Sequence, residues 1–564
     1  MYSFLPSGIE NGFPLGLDPE KRELDPESRL LPVEVSKPKK HAEKFREANL
    51  LCAEKENSRG HCSQRMPLEE AVKVLGQPVQ ISPFRHVERT GKELRHVRDF
   101  SFPYASSSSP TPSSLLSSSI NSRISLIDEK PRTFWAGPSS FAEDVLSLPS
   151  DVEVLVLVDD AKSAYRQVPV AREDWPYLVF EVEGGVHLDY FLAMGLSSAT
   201  DIWGRLADVM RLGAQSVLRE EFLRRGGDVL FWRNWVDDFI LTAVIRGGLS
   251  KEEATRLADE FYARLGVELS REKRREWSSI AVFQGFVWLL KEKVVGVPET
   301  KRRKAIERVR FFKELDTVDY LEITTLTGYL SHLAFAIPDA SFHLAPFFAF
   351  QAPFLQYPYI RKRPTPSLTT ALEWWLERLG PDEDLPPASP SSPFPFLHRK
   401  LASPLSTSPI HIFSDACDSG IGVVVENEQQ FWSLSKDWKS RSSGIHIPEA
   451  AALELALHSA FEAHRLERQV LIAEVDNEVV RMSWEKRRSS DAKLNLTLER
   501  IAALVEAREC RLKVLYLPSA ENPADPVSRG KAPENGLKAV RRSWIYTKPP
   551  EALHELVVFD SNEK

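Results

Sequence analysis

The sequence holds little sulfur: four cysteines among 564 residues, Cys52, Cys62, Cys417 and Cys510, with no CxxC pair. That argues against a disulfide framework and against a common zinc module. His41, Cys52, His61 and Cys62 fit no standard ligand spacing. No stretch approaches the roughly 18 to 20 apolar residues of a membrane span. The opening MYSFLPSGIENG lacks a basic segment followed by an apolar core. The expectation is a protein of a reducing compartment, nucleus or cytoplasm, with no membrane partner. The net charge of -7 disfavours a generic polyanion binder. Yet basic residues cluster locally, in Arg271-Glu-Lys-Arg-Arg275 and in Lys301-Arg-Arg-Lys304 with Arg308, Arg310 and Lys313. Such runs are either solvated helix faces or tracks for a phosphate backbone.

The length leaves room for about two to four domains. Residues 1–65 are rich in Pro, Glu, Lys and Arg with little apolar periodicity, and read as mostly disordered with some short helix. Serines 106–109 and 117–119 read as a flexible insertion. The β-branched run Val152–Val158 predicts a buried strand that ends in Asp159 and Asp160. Two short strands, YLVFEVEG and VHLDYFLA, lead to the glycine turn Met194-Gly-Leu-Ser-Ser-Ala199 and a helical pattern from Thr200 to about Arg225. Trp235-Val-Asp237-Asp238-Phe239 then lies between two apolar runs, a strand–turn–strand pattern with paired carboxylates at the tip. Asp is a common turn former, the plainer reading of such a pair. Its alternative is a cation site shared with Asp160 at the neighbouring strand end.

Further on, Lys251–Leu265, Thr300–Leu315 and Thr324–Phe335 have helical spacing, and Val282–Leu290 with VVGVP suggests a hairpin. LTTALEWWLERL and the Pro/Ser-rich PPASPSSPFPF precede a domain boundary placed near 400–408. The last domain carries Asp415 on a hairpin strand, Glu449 on an alanine-rich helix, Asp476 at a strand end and Asp525 in Asn522-Pro-Ala-Asp. Glu454 is the rival helix carboxylate. Hairpin followed by αβαβα predicts a mixed sheet flanked by helices.

Asp160-Ala-Lys-Ser-Ala-Tyr165-Arg-Gln-Val-Pro resembles the first palm motif of reverse transcriptases, MGLSSA the second and WVDDF the third. Arg95–Asp99 resembles the preceding fingers segment, and VFQGF the hydrophobic grip after the palm. The final domain resembles ribonuclease H, with Asp415, Glu449, Asp476 and Asp525 on its four acidic positions. SINSRI and NPADPVSRG most resemble retroelements of the DIRS or Ngaro kind, with a gypsy-like LTR element as competitor. The resemblance implies an α/β and α+β architecture. A right-hand polymerase would have fingers and palm over 66–300 and thumb-like helices over 301–355. A connection at 356–408, a ribonuclease H-like mixed sheet at 409–530 and a tail at 531–564 would follow.

It also implies RNA-directed DNA synthesis and cleavage of RNA in RNA/DNA hybrids. The partners would be an RNA template, a DNA primer and dNTPs; nothing sets the oligomeric state. Nucleotidyl transfer and hydrolysis each suit two Mg²⁺ or Mn²⁺ ions per site, about 3.5–4 Å apart, which stabilise attacking and leaving oxygens. By resemblance, Asp160, Asp237 and Asp238 are the polymerase ligands, Asp238 with the lesser role. Tyr165 would lie under the incoming sugar, Arg95 on the triphosphate, and Gly195 would let backbone approach the substrate. Lys273 would serve as acid for the leaving group, with Arg274 and Arg275 as competitors. Two departures stand out: Met194 where relatives carry Gln, and Tyr516 near where ribonucleases H carry His. The alternative is a domesticated or decayed retroelement fragment that binds nucleic acid without turnover. No aspartic protease, zinc-knuckle or integrase motif is present, so the chain reads as a processed piece, a truncated copy or a separate reading frame.

Overall fold

In the computed structural model the β-branched run becomes the strand Leu155–Asp160, buried at every position. Val and Leu at successive positions suit it to packing on both faces. Described are residues 5–19, 22, 24, 45–89, 92–101, 119–124, 135, 137–380, 398–401, 408–426, 428–530, 543–544 and 547–558. Most of the serine insertion and all of PPASPSSPFPF lie outside them, as does His41. The whole is a mixed α/β protein that divides into two compact units, the first Met1–Asp144 with Leu148–Gln284, the second Val145–Ser147 with Gly285–Lys564.

The first unit is built on a four-stranded sheet in the order Asp228–Trp235, Asp238–Val244, Leu155–Asp160, Arg275–Ser278, antiparallel throughout. The helices Ala199–Gly213 and Lys251–Arg264 pack on it through Trp203, Ala207, Leu257 and Tyr262. The helical run that begins at Ala199 carries a π-helical turn at Ala214–Leu218 and ends at Leu223. A buried bond from Trp232 Nε1 to the Tyr262 hydroxyl at 2.8 Å ties sheet to helix.

The reading of residues 1–65 as mostly disordered is corrected in part. Phe13, Leu15 and Leu17 are 2%, 0% and 4% exposed within the first unit's core. The alternation in Phe-Pro-Leu-Gly-Leu puts those side chains on one side, and Phe13 bridges Val170. Asp174 accepts the Leu15 amide at 2.7 Å. Arg46–Ser58 is a helix whose Ala53 packs with Cys62, Phe84 and Phe180. Average composition hid these short apolar segments among charged neighbours.

In the second unit, Glu299–Lys313, Tyr320–Leu333, Ala345–Gln356 and Pro366–Leu379 are helices. Asp319 and Glu322 form a capping box that starts the second of them. A mixed sheet follows in the order Arg511–Tyr516, Val470–Val475, Ile410–Ala416, Gly420–Val425, Glu428–Leu434. The first three strands run parallel and the remaining pairs antiparallel. The helix His446–His464 covers it with an almost continuous buried run, because alanines let it lie close. Within 531–564, Ser543–Trp544 and Val557–Val558 both pair with Glu428–Leu434, and Leu553 and Val557 are buried in the core. Residues 301–355 and 409–530, separate domains in the sequence reading, belong to one compact unit. Among the described residues no helix is long and apolar enough to cross a membrane.

Candidate metal centres

The first unit gathers its acids at one end of its sheet. The antiparallel register sets Asp160 opposite Asp238, and Asp238 opposite Trp235, which leaves Val236 and Asp237 as a two-residue turn. Val236 sits at φ +54°, a region that β-branched residues avoid. The strained tip is held from outside: Trp203 Nε1 donates to the Val236 carbonyl at 2.7 Å, and the Ala161 amide to that of Asp237 at 2.7 Å. Burial, then the charges of Asp237 and Asp160, push Asp238 up to about 6.

Strand alternation separates the two acids at 159 and 160. Asp160 accepts from Lys273 Nζ at 2.6 Å. Asp159 turns the other way, where Arg274 bridges it at 2.6 Å and Asp259 at 2.6 Å. Arg274 is thereby spent inside the sheet-to-helix packing, while Lys273 reaches the centre.

Tyr165 lies in the 3-10 turn Ala164–Gln167, and its hydroxyl is 3.1 Å from Thr200 Oγ1. Gly195 has φ +113°, and a Cβ there would lie 2.1 Å from the Arg98 carbonyl oxygen, so the turn admits only glycine. Asn121 from the INSRI segment braces this turn, donating to the Gly195 carbonyl at 2.9 Å and accepting the Ser197 amide at 2.9 Å. Met194 is 36% exposed. Arg95 lies on the strand Lys92–Arg98 opposite Val87; its side chain is outside what the structure describes.

In the second unit Asp415, Glu449 and Asp476 each offer a carboxylate oxygen within 4.8 Å of the others. Asp415 comes from the central strand, Asp476 follows the end of its parallel neighbour, and Glu449 comes from the first turn of the covering helix. Burial, then the charges of Asp415 and Asp476, push Glu449 up to about 10. Burial, opposed by the Ser528 hydroxyl and reinforced by Asp476 and Asp525, pushes Asp415 up to about 6. Glu454 is occupied elsewhere, gripped by Arg500 at 2.8 and 2.7 Å.

Asp525 acts on Asp415 through its charge but stands outside that group of three, paired with Arg529 at 2.7 Å. Its short helix, Ala524–Ser528, lies directly on Gly422, where a Cβ would meet the Ser528 amide at 2.3 Å. Asn522 locks the turn, donating to the Ser414 carbonyl at 3.0 Å and accepting the Ala524 amide at 3.0 Å. The Ser519 hydroxyl donates to Asp476. Tyr516 is half exposed at a strand end opposite Val475.

Sequence reasoning assigned no role to Trp203, Asn121, Ser519 or Asn522. Asn522 had a signal in its Asn-Pro turn and Asn121 in the SINSRI segment.

The donor set fits a hard divalent cation: oxygen ligands alone, with Glu449 Oε2 and Asp476 Oδ1 buried and without a hydrogen-bond partner. Among the described residues this is the one group of three potential ligands so close together. His61, Cys52 and Cys62 form no such group: His61 bonds Glu56 at 2.9 Å, and burial pushes the Cys62 thiol up to about 12.

No family model and no curated protein matches the sequence. Among solved structures, a foamy viral protease–reverse transcriptase with double-stranded DNA is 12% identical. It covers 82% of this chain and 68% of that one at a TM-score of 0.43. Another, with RNA/DNA hybrid, is 12% identical and covers 89% of this chain at a TM-score of 0.44. This chain spans 56% of its length. At such values the likeness carries no residue-by-residue correspondence.

Proposed function

We propose that the chain is a metal-dependent enzyme of nucleic-acid phosphodiesters with two centres, one that forms such bonds and one that cleaves them. More narrowly, it is the RNA-directed DNA polymerase of a retroelement, with fingers, palm and thumb, joined to a ribonuclease H domain. What supports this reading is the group Asp415, Glu449 and Asp476 in one compact unit, with Asp160 set opposite Asp238 across a strand pair in the other. A decaying site has no physical reason to retain mutually repelling buried acids.

Asp160, Asp237 and Asp238 hold the polymerase cations, and Asp415, Glu449 and Asp476 those of the nuclease, with Asp525 at its rim. Bound Mg²⁺ or Mn²⁺ would supply charge stabilisation to attacking and leaving oxygens. The chain's own residues do the rest. Trp203 and Ala161 fix the turn that carries Asp237. Lys273 Nζ donates to Asp160 at 2.6 Å and would serve as the acid for the leaving group. Tyr165 limits room beside the sugar, and the Gly195 backbone admits the base pair. Arg95 binds the dNTP phosphates.

The test is primer extension on an RNA template and cleavage of a labelled RNA/DNA hybrid. Asp237→Asn should abolish extension and spare cleavage; Asp415→Asn should do the reverse. Joint loss in both variants, or normal extension by Asp237→Asn, overturns the two-centre reading.

A further inference from the structure

The Arg166 side chain is 14% exposed, next to the partly buried Tyr165. Its guanidinium spans three parts of the first unit. Nε and Nη2 reach Glu56 of the Arg46–Ser58 helix at 2.8 and 2.7 Å. Nη1 reaches Asp189 at 2.8 Å and donates to the Phe191 and Leu192 carbonyls at 3.1 and 3.3 Å. Those carbonyls belong to the segment that enters the Met194-Gly195 turn. Asp189 also faces Arg98 at 3.5 Å, and the Arg98 amide donates to the Met194 carbonyl at 3.1 Å. Burial by itself would raise Glu56, yet bonds from His61 and Arg166 hold it down to about 2.

The Tyr165 turn has little stiffness of its own. It is a single 3-10 turn entered through Ser163 at φ +52°. Its position is set by Arg166, by the Tyr165–Thr200 contact and by Gln167, which donates to the Lys162 and Glu268 carbonyls and accepts the Glu268 amide. The Arg166 and Tyr165 contacts flank the 193–199 loop. A planar fork donating to two carboxylates and two carbonyls at once suits rigid placement better than a lysine ammonium could.

We propose that Glu56, Arg166 and Asp189 are positioning residues for Tyr165, so that the Arg46–Ser58 helix helps to set the choice between deoxy- and ribonucleotides. The inference rests on the polymerase reading above. No member of the trio needs to touch substrate. Each would act through the turn that holds the Tyr165 ring against the sugar, where a misplacement of about 1 Å is enough to change rates and selectivity.

The experiment measures kcat and KM for a dNTP and the matching rNTP with the full chain, Mg²⁺ and an RNA template. Glu56→Gln keeps the shape and removes the charge; Arg166→Lys keeps the charge and removes the fork. Both should lower the dNTP preference about tenfold, chiefly through KM, the scale that a small misplacement produces. Glu56→Asp should recover part of it. In a Tyr165→Ala background Glu56→Gln should cost little further discrimination, since the effect runs through the ring. Unchanged preference in folded Glu56→Gln, or an equal loss with and without Tyr165, overturns the inference. If Arg166→Lys does not fold, Glu56→Gln and Glu56→Asp decide alone. Wild-type protein that extends no primer overturns the polymerase reading itself, a different result.

Discussion

Replacing Glu449 by glutamine should stabilise the second unit when no divalent cation is present, against the usual direction for a buried substitution. Glu449 is 6% exposed beside Asp415 and Asp476, and its carboxyl is raised from 4.5 to about 10. A raised acid keeps in the folded state a proton that the unfolded chain has released. Above pH 4.5 the folded protein thus binds more protons, and stability falls as pH rises. One unit is worth about 1.4 kcal/mol, so the accumulated cost at pH 7 is about 3 kcal/mol. Glutamine removes that cost and keeps the side chain's shape. In chelator, denaturant unfolding followed by tryptophan fluorescence should show the two proteins level near pH 5. Glu449→Gln should be more stable by about 2–3 kcal/mol at pH 7, with a gap that widens toward pH 8. Added Mg²⁺ should stabilise the wild type and leave the variant nearly unmoved. A variant that is less stable at pH 8, or a gap that ignores pH, would refute the argument that the three acids repel one another in a desolvated site.

Three further outcomes follow from packing. Gly422→Ala should push the Ala524–Ser528 helix off its strand and cut hybrid cleavage about tenfold or more while extension is unaffected, because a 2.3 Å contact with backbone cannot be absorbed. Trp203→Phe loses the bond to the Val236 carbonyl; extension should weaken and the first unit lose about 1 kcal/mol, and unchanged kinetics would mean that the turn holds itself. Leu15→Ala should cost the first unit about 2–5 kcal/mol in chemical denaturation, since that side chain is fully buried; a cost under about 0.5 kcal/mol would mean that the N-terminal segment is not part of the core.

What the sequence determined was many of the elements and the residues at their ends. The alanine-rich stretch after Glu449 has one economical conformation, so local period and burial suffice; the run Val152–Val158 was read as a strand but the strand begins only at Leu155 and takes in Asp159 and Asp160. The acids at 160, 237, 238, 415, 449 and 476 were singled out by their places in the predicted elements and by resemblance to known motifs; the structure brings 415, 449 and 476 together and sets 160 opposite 238. Partner choice was not legible. Which of Asp159 and Asp160 meets Lys273 depends on strand alternation together with Arg274 and Asp259 in space. That Asp238, given the lesser role, faces Asp160 depends on register. Glu449, preferred over Glu454 from the sequence, lies beside Asp415 and Asp476, and Arg500 holds Glu454. The packing of Phe13, Leu15 and Leu17 and the pairing of the C-terminal strands were hidden as well. A few apolar residues in a polar stretch gain stability only from surfaces supplied by residues more than a hundred positions away, and no local window contains that energy.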